Sequence, residues 1–142
     1  MSTISRQPRI GDIYYMQFGG SGNEQRGWRP GLVFQNNIGN FYSPNIIALP
    51  LTSRIKKTYQ PTHVILPARE TGLPKDSTVL CENPERMSKE RIGDYITSLT
   101  SEYMAKIACA NLLASSAIAF IDKESLIALW DKAASLNATP VA

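Results

Sequence analysis

The chain has 142 residues, a formal net charge of +3, 43% hydrophobic and 19% charged residues. That length suits one domain around one modest core, the composition excludes a disordered polyelectrolyte, and the small positive charge permits a nucleic-acid partner without requiring one. No apolar run opens the sequence or reaches the length of a bilayer span, so no membrane partner and a cytoplasmic location are expected.

Up to about Thr97, short β-branched and aromatic runs alternate with glycine, proline and asparagine, the pattern of antiparallel strands. Strands are expected at 12–18, 31–35, 45–51, 62–66, 77–82 and 94–97, of lengths that suit a small, strongly curved barrel. Pro50 predicts that the third strand is an edge strand or is bulged near its end, because proline cannot donate to a ladder. Thr52 then falls at a strand exit. From Thr100 the period becomes helical: Thr100 caps, Glu102 sits in the first turn, and Met104, Ile107, Ala108 and Leu112 follow. After the apolar run that reaches Ile121, Asp122 caps a further helix with Leu126, Leu129, Trp130, Ala133 and Leu136 on one stripe. That stripe is expected to pack on the barrel or on the preceding helix, with a surface where a partner docks as the alternative. Cys81 and Cys109 lie in apolar segments without CxxC spacing and are expected to be reduced core thiols.

Arg29 lies between a polar, glycine-rich stretch, "GNEQRGW", and an apolar strand, "GLVF". Pairing with Glu24 is its plain structural reading. The functional reading rests on Pro30, which restricts the backbone of Arg29 so that a planar guanidinium fork is presented at the mouth of a rigid strand, suited to phosphate. Thr52 and Ser53, followed by Arg54, Lys56 and Lys57, are either a turn with a solvated face or hydroxyl and cationic donors for a nucleic-acid backbone. Glu82 and Asn83 end the fifth strand; if the barrel brings Glu82 near Arg29 it is a candidate general base, although an adjacent arginine weakens a carboxylate as proton acceptor. His63, the only histidine, has no nucleophile signature around it and reads as structural. No metal-ligand spacing occurs, so neither metal nor cofactor is expected.

The segments "GDIYY", "NEQRGWRPGLVFQNNIGNFYSPN", "PLTS", "PTHV", "DSTVLCENPERMSKERI" and "SEYMAKI" resemble, in order and spacing, the MazF/PemK toxins of type II toxin-antitoxin modules, across residues 9 to 121. The resemblance implies a mainly β fold, an SH3-like barrel of the MazF/CcdB type with C-terminal helices, over residues 1–121. Residues 122–142 would be a helical extension with a frayed tail. It further implies a homodimer, sequence-selective and metal-independent cleavage of single-stranded RNA by its own 2′-hydroxyl, and a MazE-like antitoxin, through which alone the protein would meet DNA. By the same resemblance Arg29 faces the scissile phosphate, Thr52 follows the third strand, and Glu82 is a tentative base. Asn23, Glu24 and Gln25 fall in the loop that closes over RNA, and Asn83 matches a substrate-contacting amide. Ser53, Lys56 and Arg86 complete the expected RNA contacts.

Two departures from the family pattern bear on activity. After the fifth strand the family reads acid, amide, any residue, arginine, threonine, whereas this chain reads Glu82, Asn83, Pro84, Glu85, Arg86. A carboxylate in the arginine slot should weaken phosphate contacts or alter base preference. Gly31 also replaces the usual β-branched residue after Pro30. Glu85 keeps open a binding-only member of the fold. A CcdB-like gyrase poison is the other alternative, but the Arg29 and Thr52 pair and the absence of a terminal Trp-Gly-Ile argue against it.

Overall fold

The computed structural model describes residues 6–19, 26–54 and 60–138. Seven strands form one antiparallel sheet: β1 (Asp12–Gly19), β2 (Arg26–Val33), β3 (Asn45–Thr52), β4 (His63–Leu66), β5 (Ser77–Leu80), β6 (Glu85–Ser88) and β7 (Ile92–Ser98). Four helices accompany them: α1 (Asn37–Tyr42), α2 (Ala68–Thr71), α3 (Ser101–Ser115) and α4 (Lys123–Leu136). The spatial order is β4-β5-β3-β2-β1-β7, with β6 also paired to β3. This is the expected mainly β class with C-terminal helices, but the described strands curl without closing the barrel.

The branch at β3 explains the open curl and answers the question raised by Pro50. Residues Asn45 to Ala48 pair with β6, whereas Leu51 and Thr52 pair with β5. Pro50 sits at the change of partner, where no second ladder requires its missing N–H. β3 is therefore central and not an edge strand; of the two expectations from Pro50, an irregularity near the strand end is the one its change of partner resembles. β2 also differs from expectation, since it begins at Arg26 and its first half forms a hairpin arm with β1, from Gly19↔Arg26 to Tyr15↔Pro30. Arg29 thus lies inside a strand. Pro30 is tolerated there because the ladder between β2 and β3 covers only Val33 to Gly31, leaving Pro30 bonded on the β1 side alone.

Side-chain alternation sorts the core into two layers. Ile13, Leu32, Leu49, Leu51 and Val79 face Ile107 and Ala110 of α3, while Tyr14, Met16, Phe18, Val33, Ile46, Ala48, Met87 and Ile92 fill the inside of the curl. α3 begins as its cap predicts, with the Tyr103 N–H donating to Thr100 Oγ1 at 3.4 Å. Its buried face is Ile107 and Ala110, and Ala108 is exposed. Cys81 is buried and its thiol is pushed up to about 12, chiefly by burial; Cys109 is exposed, correcting its expected core position. α1 and β6 escaped the sequence pattern, one because its amide-rich segment reads as loop, the other because "ERMS" is short and polar. α1 is started by Asn36, whose side chain accepts from the Gly39 N–H at 2.8 Å.

α4 starts at Asp122, which accepts the Ser125 N–H at 2.7 Å. None of its residues is buried, and Trp130 is 68% exposed. Against the expected packing on the barrel or on α3, the described residues bury no part of the stripe fully. Its C-terminal end is tied to α1, where Asn37 donates its backbone N–H to Asn137 Oδ1 at 3.2 Å and its Nδ2 to Asn137 O at 3.0 Å.

Candidate active site

The ladder between β2 and β3 stops at Gly31↔Pro50, and beyond it β2 follows β1 while β3 follows β5. Strands that part in this way open a cleft between them. Tyr15, Trp28, Arg29 and Pro30 form one wall and Leu51, Thr52, Ser53 and Arg54 the other, around a cavity of about 370 Å³ completed by Pro74, Lys75 and Ser77. Continuing the β2–β3 register past Gly31↔Pro50 sets Arg29 opposite Thr52, so the two residues singled out in the sequence meet across the cleft. Ser53 joins them and is exposed.

The cleft has the electrostatics of an anion site. Its described lining residues include three cations, Arg29, Arg54 and Lys75, and no carboxylate. Arg29 Nε and Nη1 are buried without a hydrogen-bond partner, an arrangement whose cost a bound anion would relieve. Thr52 Oγ1 accepts the backbone N–H of Arg54 at 3.2 Å. A hydroxyl has one donor and two acceptor positions, so this bond leaves the Thr52 O–H able to donate. Trp28 and Tyr15, both exposed at the rim, offer aromatic faces of the kind on which unpaired bases stack.

The remaining expected residues distribute differently. Glu82 does not line the cleft: its Oε2 lies 2.9 Å from His63 Nε2, across the β4–β5 hairpin. His63 is thus the partner of Glu82. Asn83 is half-buried in the following turn, where its N–H donates to Leu80 O at 3.1 Å. Arg86 is exposed and pairs in register with Ile47, on the sheet face opposite to Arg29 and Thr52. Asn23, Glu24, Gln25 and Lys56 lie outside the described residues, and with them the suggested Arg29–Glu24 pair.

Among the described residues, Glu85 is a carboxylate on which Arg29 acts. It pairs in register with Ala48, so it shares the face of Ala48, Thr52 and Arg29. Burial pushes its carboxyl above the usual range, and Arg29 pulls in the opposite direction. Arg54, singled out in the sequence beside Thr52 and Ser53, also lines the cleft, whereas sequence reasoning missed Trp28 and Lys75. Trp28 adjoins Arg29 in "WRP", but nothing in "LPKDS" marks Lys75, which only the β3–β5 pairing brings to the site.

A family model of PemK-like, MazF-like toxins of type II toxin-antitoxin systems matches residues 9–113. The chain belongs to this family. Endoribonuclease EndoA of Bacillus subtilis (strain 168) is 42% identical to it over 98 residues, 68% of this chain and 84% of EndoA. Among solved structures, MazF from Deinococcus radiodurans superposes with a TM-score of 0.68 at 25% identity, covering 79% of this chain and 99% of that one. An endoribonuclease in complex with its cognate antitoxin, from a mycobacterial species, gives a TM-score of 0.62 at 28% identity, covering 78% and 96%. The family match ends inside α3, so α4 lies beyond what this MazF-like toxin shares with the family model.

Proposed function

We infer that the chain is an endoribonuclease toxin of a type II toxin-antitoxin module, acting on single-stranded RNA in the cytoplasm. Its partners are a MazE-like antitoxin and a second copy of itself, with DNA met only through the antitoxin. Residues 1–121 form the toxin unit and 122–142 an appended extension. The observation that carries the site assignment is the cleft at which β2 and β3 part, with Arg29 and Thr52 on opposite walls and two guanidinium nitrogens of Arg29 without a partner.

The chemistry suits this residue set because RNA carries its own nucleophile. Attack of the 2′-hydroxyl oxygen on the adjacent phosphorus expels the 5′-oxygen and leaves a 2′,3′-cyclic phosphate and a 5′-hydroxyl. The protein must hold the hydroxyl in line and stabilise charge on the phosphorane. Arg29 holds the phosphate with its guanidinium N–H donors, and Thr52 donates a further hydrogen bond to a non-bridging oxygen. Ser53, Arg54 and Lys75 fix the flanking backbone. With no carboxylate among the described lining residues, alignment and charge stabilisation supply most of the acceleration. Glu82, paired with His63, is the lesser contributor. The RNA contacts expected of Asn23, Glu24, Gln25, Asn83 and Lys56 are the source of sequence selectivity in this reading, while Arg86, on the opposite sheet face, contacts RNA away from the cleft.

Arg29→Ala and Thr52→Ala are each expected to lower cleavage by about 100-fold or more, with thermal stability near wild type, while Glu82→Gln has a smaller effect. Full turnover by Arg29→Ala would place the site elsewhere. Glu85, held in the field of Arg29, favours one other reading, a member that binds RNA or antitoxin without cutting. Wild-type protein that binds RNA and leaves it whole would establish that reading instead.

A further inference from the structure

Among the described residues, three buried side-chain polar atoms lack a hydrogen-bond partner: Arg29 Nε, Arg29 Nη1 and Thr78 Oγ1. They share one line across the sheet. Met16 pairs with Arg29, the continued β2–β3 register sets Arg29 opposite Thr52, and Thr52 pairs with Thr78. Directly paired residues of neighbouring strands point to the same face with Cβ atoms about 5 Å apart. Thr78, 2% exposed, therefore stands behind Thr52 as seen from Arg29. A buried hydroxyl without a partner is costly, and its coincidence in one row with the unpartnered guanidinium calls for a common cause.

We propose that Thr78 is a positioning residue of the RNA-cleavage site, donating its hydroxyl hydrogen to Thr52 Oγ1 when a phosphate occupies the cleft. The inference rests on the reading of Arg29 and Thr52 as the phosphate-binding pair. The hydrogen-bonding capacity of Thr52 closes on this arrangement: one lone pair accepts the Arg54 N–H, the second accepts the Thr78 O–H, and the single Thr52 O–H donates to a phosphate oxygen. Each bond in such a chain polarises the next, so Thr78 strengthens the donor that touches the substrate without touching it itself. The rotation required is a change of χ1 rotamer, which the β-branched threonine permits among few states.

The test compares Thr78→Val with Thr78→Ser in the full-length protein, using a single-site RNA substrate and thermal denaturation. Valine removes the hydroxyl at nearly constant shape, so the expected result is kcat lowered about three- to ten-fold, KM unchanged, and a melting temperature equal to or above wild type. Serine, which keeps the hydroxyl, is expected to retain wild-type kcat. A kcat unchanged by valine, or lowered equally by serine and valine, overturns the proposal, because the hydroxyl is then idle or only the methyl packing matters. Thr52→Val separates the two levels of the argument. If it loses cleavage while Thr78→Val does not, only the role of Thr78 falls. If it cleaves as wild type, the site assignment falls and this inference with it.

Discussion

Gly31 and Glu85 are the two residues at which the resemblance suggested a departure from the MazF/PemK pattern, and each has a local physical reason or consequence. A Cβ on Gly31 would lie 2.6 Å from Met16 Sδ and 2.9 Å from Phe18 Cζ, so glycine here lets two large side chains of β1 pack against the β2 backbone beside Arg29. Glu85 is half-buried, and its raised carboxyl means that burial outweighs the pull of Arg29. For a carboxyl whose folded-state pKa exceeds its unfolded value, the folded state binds the proton more tightly. Ionised Glu85 therefore opposes folding, by nothing below the unfolded pKa and fully once the pH has risen through the folded one. Glu85→Gln is expected to raise the melting temperature at neutral pH and to gain nothing in acid, as thermal denaturation from about pH 3 to about pH 8 would report. A gain of equal size at both ends would assign the effect to packing. Arg29 and Thr52 were legible in the sequence because a guanidinium fixed before proline and a hydroxyl after a strand are local patterns. Thr78, Lys75 and the true neighbour of Arg29 were not, since each depends on which strands lie side by side.

At the scale of elements, the turns of hydrophobic period were the reliable signal. Thr100 and Asp122 start their helices as their capping side chains predict, and β1, β3 and β5 occupy the alternating or apolar runs assigned to them. The failures have a common origin in pairing. β2 extends back to Arg26 through its ladder with β1, despite a polar sequence, and Pro50 sits in a central strand because β3 changes partner there. For α4 the sequence showed an apolar stripe but not what would cover it. Among the described residues it is not buried: Leu129, Trp130 and Leu136 are exposed, Leu126 is half-buried, and hydrogen bonds from Asn37 to Asn137 tie the helix end to α1. A helix that buries so little contributes little to stability. Truncation after Asp122 is expected to leave the melting temperature within a few degrees of wild type and the two-fold assembly intact by light scattering. Aggregation or loss of the dimer on truncation would instead make α4 part of the fold or of the interface.

At the scale of the whole molecule, a curled sheet that fails to close leaves its functional cleft at the seam. β3 belongs to both halves of the sheet, and the site forms where its two sets of partners diverge, with Arg29 on one side and Thr52 on the other. Ligands commonly bind where a sheet's pairing changes, because backbone and side chains there are not already committed to neighbouring strands. The central claim is that this cleft cleaves RNA with a nucleophile taken from the RNA itself. Digestion of a long single-stranded RNA in excess chelator, followed by mapping of both new ends, tests it most directly. The account predicts cuts at a recurring short sequence, a 2′,3′-cyclic phosphate on one fragment and a 5′-hydroxyl on the other, and no cleavage once the 2′-hydroxyl at the cut position is replaced by hydrogen. Cleavage that requires added magnesium, or that leaves a 5′-phosphate, would contradict it.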